Sequence, residues 1–354
     1  MEIEGARKEG GGGGCDPGRT SCEGGTTWSG LLGFLTDIYV FQVFGLEQSA
    51  TELMLRGIAK STATDYARKQ ATFAGFCISV CQSTVPCNID KMIKFITWLY
   101  REKKLAASPI KGFVAAVRHL HLINGEVWSA NQDPRFQLIM AGISKRTSPK
   151  DNRDPLLPAD MDGIKSTLAM AEYDNILFWS ALTLAFGGFL RVGEVSYNPL
   201  HGGCFSIASS GVDLRGTEMT IELRNSKNDR EHEGCKIVFK AGGNILCPVS
   251  AMEKFLNIRP PTTRDSPLFV HIRGMPMTGA WFRNKLSECC KEAGIKKIIK
   301  GHSIRIGAAS EAVNQGIPFH IIQSMGRWKS DCAKRYIRLT GSSMANFRMA
   351  LTNI

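Results

Sequence analysis

Four separated stretches in the second half of this chain carry side chains suited to handling an anionic centre. Phe189-Leu190-Arg191-Val192-Gly193-Glu194 sets an arginine just past a strongly apolar run. Asn225-Ser226-Lys227-Asn228-Asp229 offers a lysine in a polar stretch, and Gly301-His302-Ser303-Ile304-Arg305 spaces an imidazole and a guanidinium three apart. Gly326-Arg327-Trp328 is followed closely by Ala333-Lys334-Arg335-Tyr336-Ile337-Arg338. Guanidinium groups are permanently charged forks that match phosphate oxygens. A phenol is a latent nucleophile, and an ammonium or imidazole can move the proton such a reaction needs. Singly, each residue has a plainer account. Arg191 could pair with Glu194, His302 could cap a helix or sit in a core, Lys227 could be an ordinary turn lysine, and Tyr336 a half-buried helix tyrosine. The order resists that account: after Tyr197 the chain has one further tyrosine, Tyr336, eighteen residues before its end.

Bringing four distant stretches together requires a folded frame. Residues 1–45 include the run Gly10 to Gly14 and read as a flexible Gly-rich tail. The apolar cluster Trp28 to Phe44 has no clear period. Residues 46–146 turn helical, with Tyr66, Phe73, Phe76 and Val80 at near-helical spacing behind Ser61 or Thr62 as a cap. Asp90 is the expected cap of a second helix carrying Met92, Phe95, Ile96 and Leu99, with Lys91, Lys94, Lys103 and Lys104 off that stripe. Ser108-Pro109 opens a third, with Phe113, Val117 and Leu120, because proline suits a first helical turn; Asp133-Pro134 opens a fourth. Residues 147–158, broken by Pro149, Pro155 and Pro158, read as a linker. In residues 159–354, Asp160 is expected to cap a helix, and Ile176 to Phe189 to form a buried one. The period then shifts to two: Thr217 to Leu223 and Cys235 to Phe239 flank the polar turn Asn225 to Gly234 as a β-hairpin. Helices resume near Thr278, with Ser303 and Ser330 as caps. The expected fold is mainly α, a four-helix N-terminal bundle followed by a mixed α+β domain with a small antiparallel sheet.

Charge narrows the partners. The chain of 354 residues has a formal net charge of +12. Residues 1–45 carry three Lys/Arg against six Asp/Glu, whereas residues 46–150 carry fifteen against seven. A positive excess on the folded parts favours a polyanionic partner. Eleven cysteines, an odd number without a Cys-x-x-Cys pair, and no basic-then-apolar leader read as reduced thiols of an intracellular protein. Cys77, Cys81 and Cys87 have no fourth metal ligand nearby, and Cys77 and Cys81 fall on an apolar helical face; no metal is expected. The uncharged run Ile176 to Leu190 is shorter than the ~20 residues of a membrane span, so a buried helix is the reading.

Taken together, the four stretches resemble the catalytic domain of the tyrosine recombinase (phage integrase) family. The resemblance covers roughly residues 50–345. Residues 46–146 look like that family's SAM-like core-binding domain, which binds DNA, and residues 159–354 like its catalytic domain. The Arg-x-x-Glu turn is a weak signal, the His-x-x-Arg box a moderate one, and the ordered set with a terminal tyrosine a strong one. The Gly-His-Ser-Ile-Arg-Ile-Gly-Ala-Ala-Ser box and the Met-Gly-Arg-Trp and Arg-Tyr-Ile-Arg ending are most similar to the recombinases of eukaryotic DIRS-type retroelements.

What the resemblance implies is cleavage and rejoining of DNA through a covalent 3′-phosphotyrosyl link at Tyr336, freeing a 5′-hydroxyl. Arg191 and Arg305 would hold the non-bridging oxygens, a form of preorganised charge that is usually the largest catalytic term. Lys227 would protonate the leaving oxygen, with Lys236 as the fallback, and His302 would take the tyrosine proton or hold an oxygen. One phosphodiester replaces another, so no cofactor, ATP or metal is implied. In bacterial relatives a His or Trp directly follows the glycine of the fourth stretch, nine residues before the tyrosine. Here Arg327 stands in that column and Trp328 comes one late, so both are candidates.

Implied partners are double-stranded DNA and three further copies of the chain, a homotetramer on two duplexes, with no membrane. Lys69, Lys111, Lys145, Arg146 and Lys150 are the expected phosphate contacts, which would make binding salt-dependent. The end Met344 to Ile354, with Phe347, Met349 and Leu351, resembles a segment that relatives dock on a neighbouring subunit, and could equally fold back on its own. The nucleus is expected from the substrate alone. Two other readings stand beside an active recombinase of a mobile element: a domesticated DNA-binding protein without catalysis, and a type IB topoisomerase-like nicking-closing enzyme.

Overall fold

A computed structural model describes residues 53–54, 57–147, 152–199, 205–224, 234–328 and 330–338. The expected tail, Lys150, Lys227 and the end from Met344 lie outside the described residues. The chain divides between residues 148 and 149 into two units.

The first unit holds α1 (Lys60–Ser79), α2 (Ile89–Arg101), α3 (Ala107–Ile123) and α4 (Pro134–Thr147). Their apolar stripes meet in one core that includes Phe73, Phe95, Leu99, Ile110, Val117 and Met140. Phe73 and Phe95 meet edge to face at 4.9 Å, a favoured aromatic geometry. Several sequence expectations shift by a turn. Ser61 and Thr62 lie inside α1, whose N-cap is Ala59. Asn88, not Asp90, caps α2, its side chain accepting from the Lys91 amide at 2.9 Å. Lys91 is not on the outer face: it is buried, and its ammonium donates to the Ser83 and Pro86 carbonyls at 2.8 Å. Cys81 leaves the apolar face, being exposed beyond the end of α1 at φ 52°.

The second unit follows the order α5 (Pro158–Thr167), α6 (Tyr173–Gly187), α7 (Val192–Val195), β1 (Val212–Arg215), β2 (Glu218–Leu223), β3 (Cys235–Lys240), α8 (Pro248–Ile258), α9 (Gly279–Glu292), α10 (Gly301–Asn314) and α11 (Phe319–Met325). A 3₁₀ turn, Asp331–Tyr336, follows. The sheet is antiparallel in the order β1-β2-β3, one strand more than the expected hairpin. Met219, Ile221 and Leu223 alternate inward along β2, and Ile221 faces Val212 on one side and Ile237 on the other. Residues 177–185 of α6 are all buried, so this helix has no polar face and runs through the middle of the core against α8 and α10. Among the described residues no helix is long and apolar enough to cross a membrane.

Here too the caps differ from expectation. Asp160 sits in the first turn of α5 and accepts from the Leu157 amide at 2.8 Å, and Ser303 does the same for the Lys300 amide at 2.9 Å in α10. Ser330 does cap, accepting from the Cys332 amide. Residues 152–158, read as linker, are packed down because Leu156 is apolar and fully buried. Its amide donates to the Ser303 carbonyl at 3.0 Å. That close approach needs Gly307: a Cβ there would stand 1.8 Å from the Leu156 carbonyl oxygen, which is backbone and has little room to give. Gly307→Ala is expected to cost about 3 kcal/mol, the upper range for overpacking, read as a lowered denaturant midpoint at unchanged slope. An unchanged midpoint would show that the α10–Leu156 contact is looser than described.

Candidate active site

Three of the four chemically interesting stretches meet in the second unit, and the backbone explains why. The buried helix α6 ends at Gly187, and Phe189 turns the chain in the left-handed region at φ 51°. That turn leaves the Phe189 carbonyl pointing at the side chains that follow. Arg191 is the N-cap of α7, and Glu194 in its first turn reaches back to accept from the Arg191 amide at 2.8 Å. The plain pairing also forms: Arg191 Nη1 donates to Glu194 Oε1 at 2.9 Å. Glu194 is 4% exposed and its other oxygen accepts from Arg327 Nη2 at 3.2 Å. One buried carboxylate therefore ties together arginines 136 positions apart in sequence, α7 on one side and the α11 end on the other.

Arg305, in α10, lies beneath. It is fully buried, donating from Nη1 to the Phe189 carbonyl at 2.8 Å and from Nη2 to the Gly326 carbonyl. Its Nε has no hydrogen-bond partner among the described residues. Burial pushes its pKa down to about 10, the nearby Arg191 and Arg327 add to that, and Glu194 opposes them. The guanidinium thus remains charged at neutral pH. Trp328 covers it, ring centroid 4.4 Å from the guanidinium carbon, and Tyr336 lies 5.6 Å from the same carbon. Such cation–π contacts offset part of the cost of enclosing the charge.

Tyr336 ends the 3₁₀ turn. Its ring is 5.0 Å from that of Trp328 and 6.1 Å from that of His302. A small apolar cluster, with Phe189, Ala308, Ala309, Ile322, Trp328 and Ala333 at its centre, seats the turn. Ser310 pins it by polar bonds, accepting from the Arg338 amide at 2.8 Å and donating to the Tyr336 carbonyl at 3.5 Å. Gly326 permits the Trp328 position, since a Cβ there would fall 1.9 Å from the indole. Ser310→Ala removes the acceptor of the half-buried Arg338 amide and is expected to cost about 1 kcal/mol. The check is hydrogen exchange at the Arg338 amide, which should quicken; equal protection in the variant would deny Ser310 its anchoring role.

A cleft of about 460 Å³ opens beside these groups, with Arg191, Glu194, His302, Arg153, Arg283 and Lys300 on its walls. Of the expected site residues, Arg191, His302, Arg305, Arg327, Trp328 and Tyr336 are brought to one place. Arg305 departs from its expected posture, because both terminal nitrogens are engaged by backbone carbonyls rather than presented to the cleft. Arg327 and Trp328 divide the position that both could fill: Arg327 reaches Glu194, whereas Trp328 is 5% exposed, with its Nε1 buried and without a hydrogen-bond partner among the described residues. Lys236 is exposed on β3 opposite Glu222.

Of the expected DNA contacts, Lys111, Lys145 and Arg146 are exposed in the first unit. Lys69 is largely covered, paired with Asp65 and 5.8 Å from the Phe113 ring centroid. Sequence reasoning missed the bridging role of Glu194 and the cleft positions of Arg153, Arg283 and Lys300. Only Lys300 carried a signal, standing directly before Gly301-His302.

A family model described as the phage integrase family matches residues 161–341, just over half of the chain. Comparison with curated proteins finds no match. Solved structures do match. A variant of the Tn1549 transposon integrase in complex with transposon right end DNA aligns at TM-score 0.60 and 14% identity, over 86% of this chain and 98% of that one. The XerH site-specific recombinase, in a pre-cleavage complex with its difH substrate, aligns at 0.56 and 12%, over 90% and 94%. A lambda integrase dimer bound to a COC′ core site aligns at 0.53 and 16%, over 89% and 97%. At these identities the likeness is one of fold.

Proposed function

The chain belongs to the phage integrase (tyrosine recombinase) family, and on that premise we propose that it cuts and rejoins double-stranded DNA through a phosphotyrosyl bond at Tyr336. The observation that carries the reading is the placement of the Tyr336 ring against Arg305, Trp328 and His302, in a unit whose neighbouring cleft is lined with basic groups. In the proposed reaction the Tyr336 oxygen attacks a backbone phosphorus, forms the O–P bond and expels the 5′-oxygen of the next nucleotide. His302 accepts the phenol proton. Lys227 returns one to the leaving oxygen. Arg191 and Arg305 stabilise charge on the non-bridging oxygens, and the second half of the reaction reverses these steps with another 5′-hydroxyl. Binding of a phosphate by Arg305 requires the Trp328 and Tyr336 rings to draw back from it. The proposal extends to a homotetramer on two duplexes, phosphate contacts by Lys69, Lys111, Lys145, Arg146 and Lys150, action in the nucleus, and a DIRS-like mobile element as the source.

A duplex nicked so that the 5′ fragment diffuses away tests the first step, because a denaturing gel then shows trapped protein–DNA adduct. Recombinant joints between two duplexes separate a recombinase from a topoisomerase-like enzyme. A second reading, DNA binding without cleavage, draws support from the full enclosure of Arg305. DNA binding with no adduct on any nicked duplex would favour it.

A further inference from the structure

The cleft beside the catalytic candidates holds more positive charge than one phosphate requires. Four basic side chains, Arg153, Arg191, Arg283 and Lys300, line it together with His302. Its acid, Glu194, is committed to Arg191 and Arg327. The proposed chemistry uses Arg191 and His302 and assigns no role to Arg153, Arg283 or Lys300. They come from three separate places: Arg153 precedes α5, Arg283 is in the first turns of α9, and Lys300 is the N-cap of α10. Arg283 and Lys300 are exposed, and no acid pairs with either among the described residues. The Arg283 stem passes close to α10. A Cβ on Gly301 would stand 3.8 Å from Arg283 Cδ and 2.9 Å from Val192 Cγ2, so the bare glycine lets α7, α9 and α10 converge here. A volume of about 460 Å³ falls in the ~300–1,000 Å³ range of clefts that enclose drug-sized ligands, well beyond one phosphate.

We infer that Arg153, Arg283 and Lys300 form a second phosphodiester-binding site, which takes a backbone phosphate next to the one held by Arg191 and His302. The inference rests on the proposed action on DNA and adds which residues fix the strand's position. Holding two successive phosphates sets the phosphorus to be attacked, since a strand gripped at one point still rotates and slides. The site reads no sequence, because phosphates are the same at every step.

The test uses the full chain and a short duplex, with affinity measured across a range of salt. Each phosphate contact contributes about 0.9 to the slope of log Kobs against log salt. Arg283→Gln combined with Lys300→Gln is therefore expected to lower the slope by about 1.8. Lys291→Gln, an exposed charge on the same helix but outside the cleft, serves as the control and should leave it nearly unchanged. Arg283→Lys with Lys300 intact should keep the slope. A double variant that melts like the wild type but shows the control's slope overturns the inference. Adduct formation on the nicked duplex is read in parallel: a wild type with full slope and no adduct sinks cleavage and leaves the second site standing, whereas adduct with an unaltered slope in the double variant does the reverse.

Discussion

Tyr336→Phe is expected to bind duplex DNA as tightly as the wild type and to form adduct on a nicked duplex roughly 10⁴-fold more slowly or not at all. The substitution removes one oxygen and little else. Phenylalanine keeps the ring that lies against Trp328 and over the Arg305 guanidinium, and Ser310 still binds the carbonyl of residue 336 and the Arg338 amide. Stability should therefore change by less than about 1 kcal/mol. Loss of adduct then has a single chemical meaning, the missing nucleophile. Trapping that persists in the phenylalanine variant would place the covalent bond on another residue and remove the central proposal.

Glu194→Ala is expected to destabilise the fold by about 3–5 kcal/mol, the cost of stripping one partner from a buried ion pair. Here the carboxylate serves two arginines at once, Arg191 at 2.9 Å and Arg327 at 3.2 Å, and Arg305 is near enough to feel both. Without it three guanidinium groups are held close with no acid between them. A specific signature follows. Sulfate should raise the melting temperature of Glu194→Ala more than that of the wild type, because an anion bound only by the folded state stabilises by mass action. Glu194→Gln, which still accepts from the Arg191 amide, should lose less. Equal sulfate responses in variant and wild type would show that the arginines do not depend on Glu194 for charge balance.

The first unit was readable in the sequence because its signals are local. Apolar residues spaced for one helix face, such as Met92, Phe95, Ile96 and Leu99, are also the residues found buried. The same holds for the β2–β3 hairpin, where alternation is a two-residue rule. Caps were less legible. Asn88, Asp90 and Ser303 all carry suitable side chains, and which one accepts depends on the backbone angle where each helix starts. Lys91 shows the same limit: its sequence neighbours mark it as solvated, yet two carbonyls from the preceding loop hold it inside.

The candidate site divides in the same way. The identities and order of Arg191, His302, Arg305, Arg327, Trp328 and Tyr336 were determined by the sequence alone, because residue type settles what chemistry a side chain can perform. Their mutual arrangement was decided only by the tertiary structure. Burial of α6, the left-handed turns at Phe189 and Arg327, and the bare surface of Gly326 put these groups in contact. That Glu194 bridges two arginines, that Arg305 is enclosed under two rings, and that Arg283 joins Lys300 at one cleft are long-range outcomes of packing. No local spacing encodes them, since each depends on chain segments brought together only when the core closes.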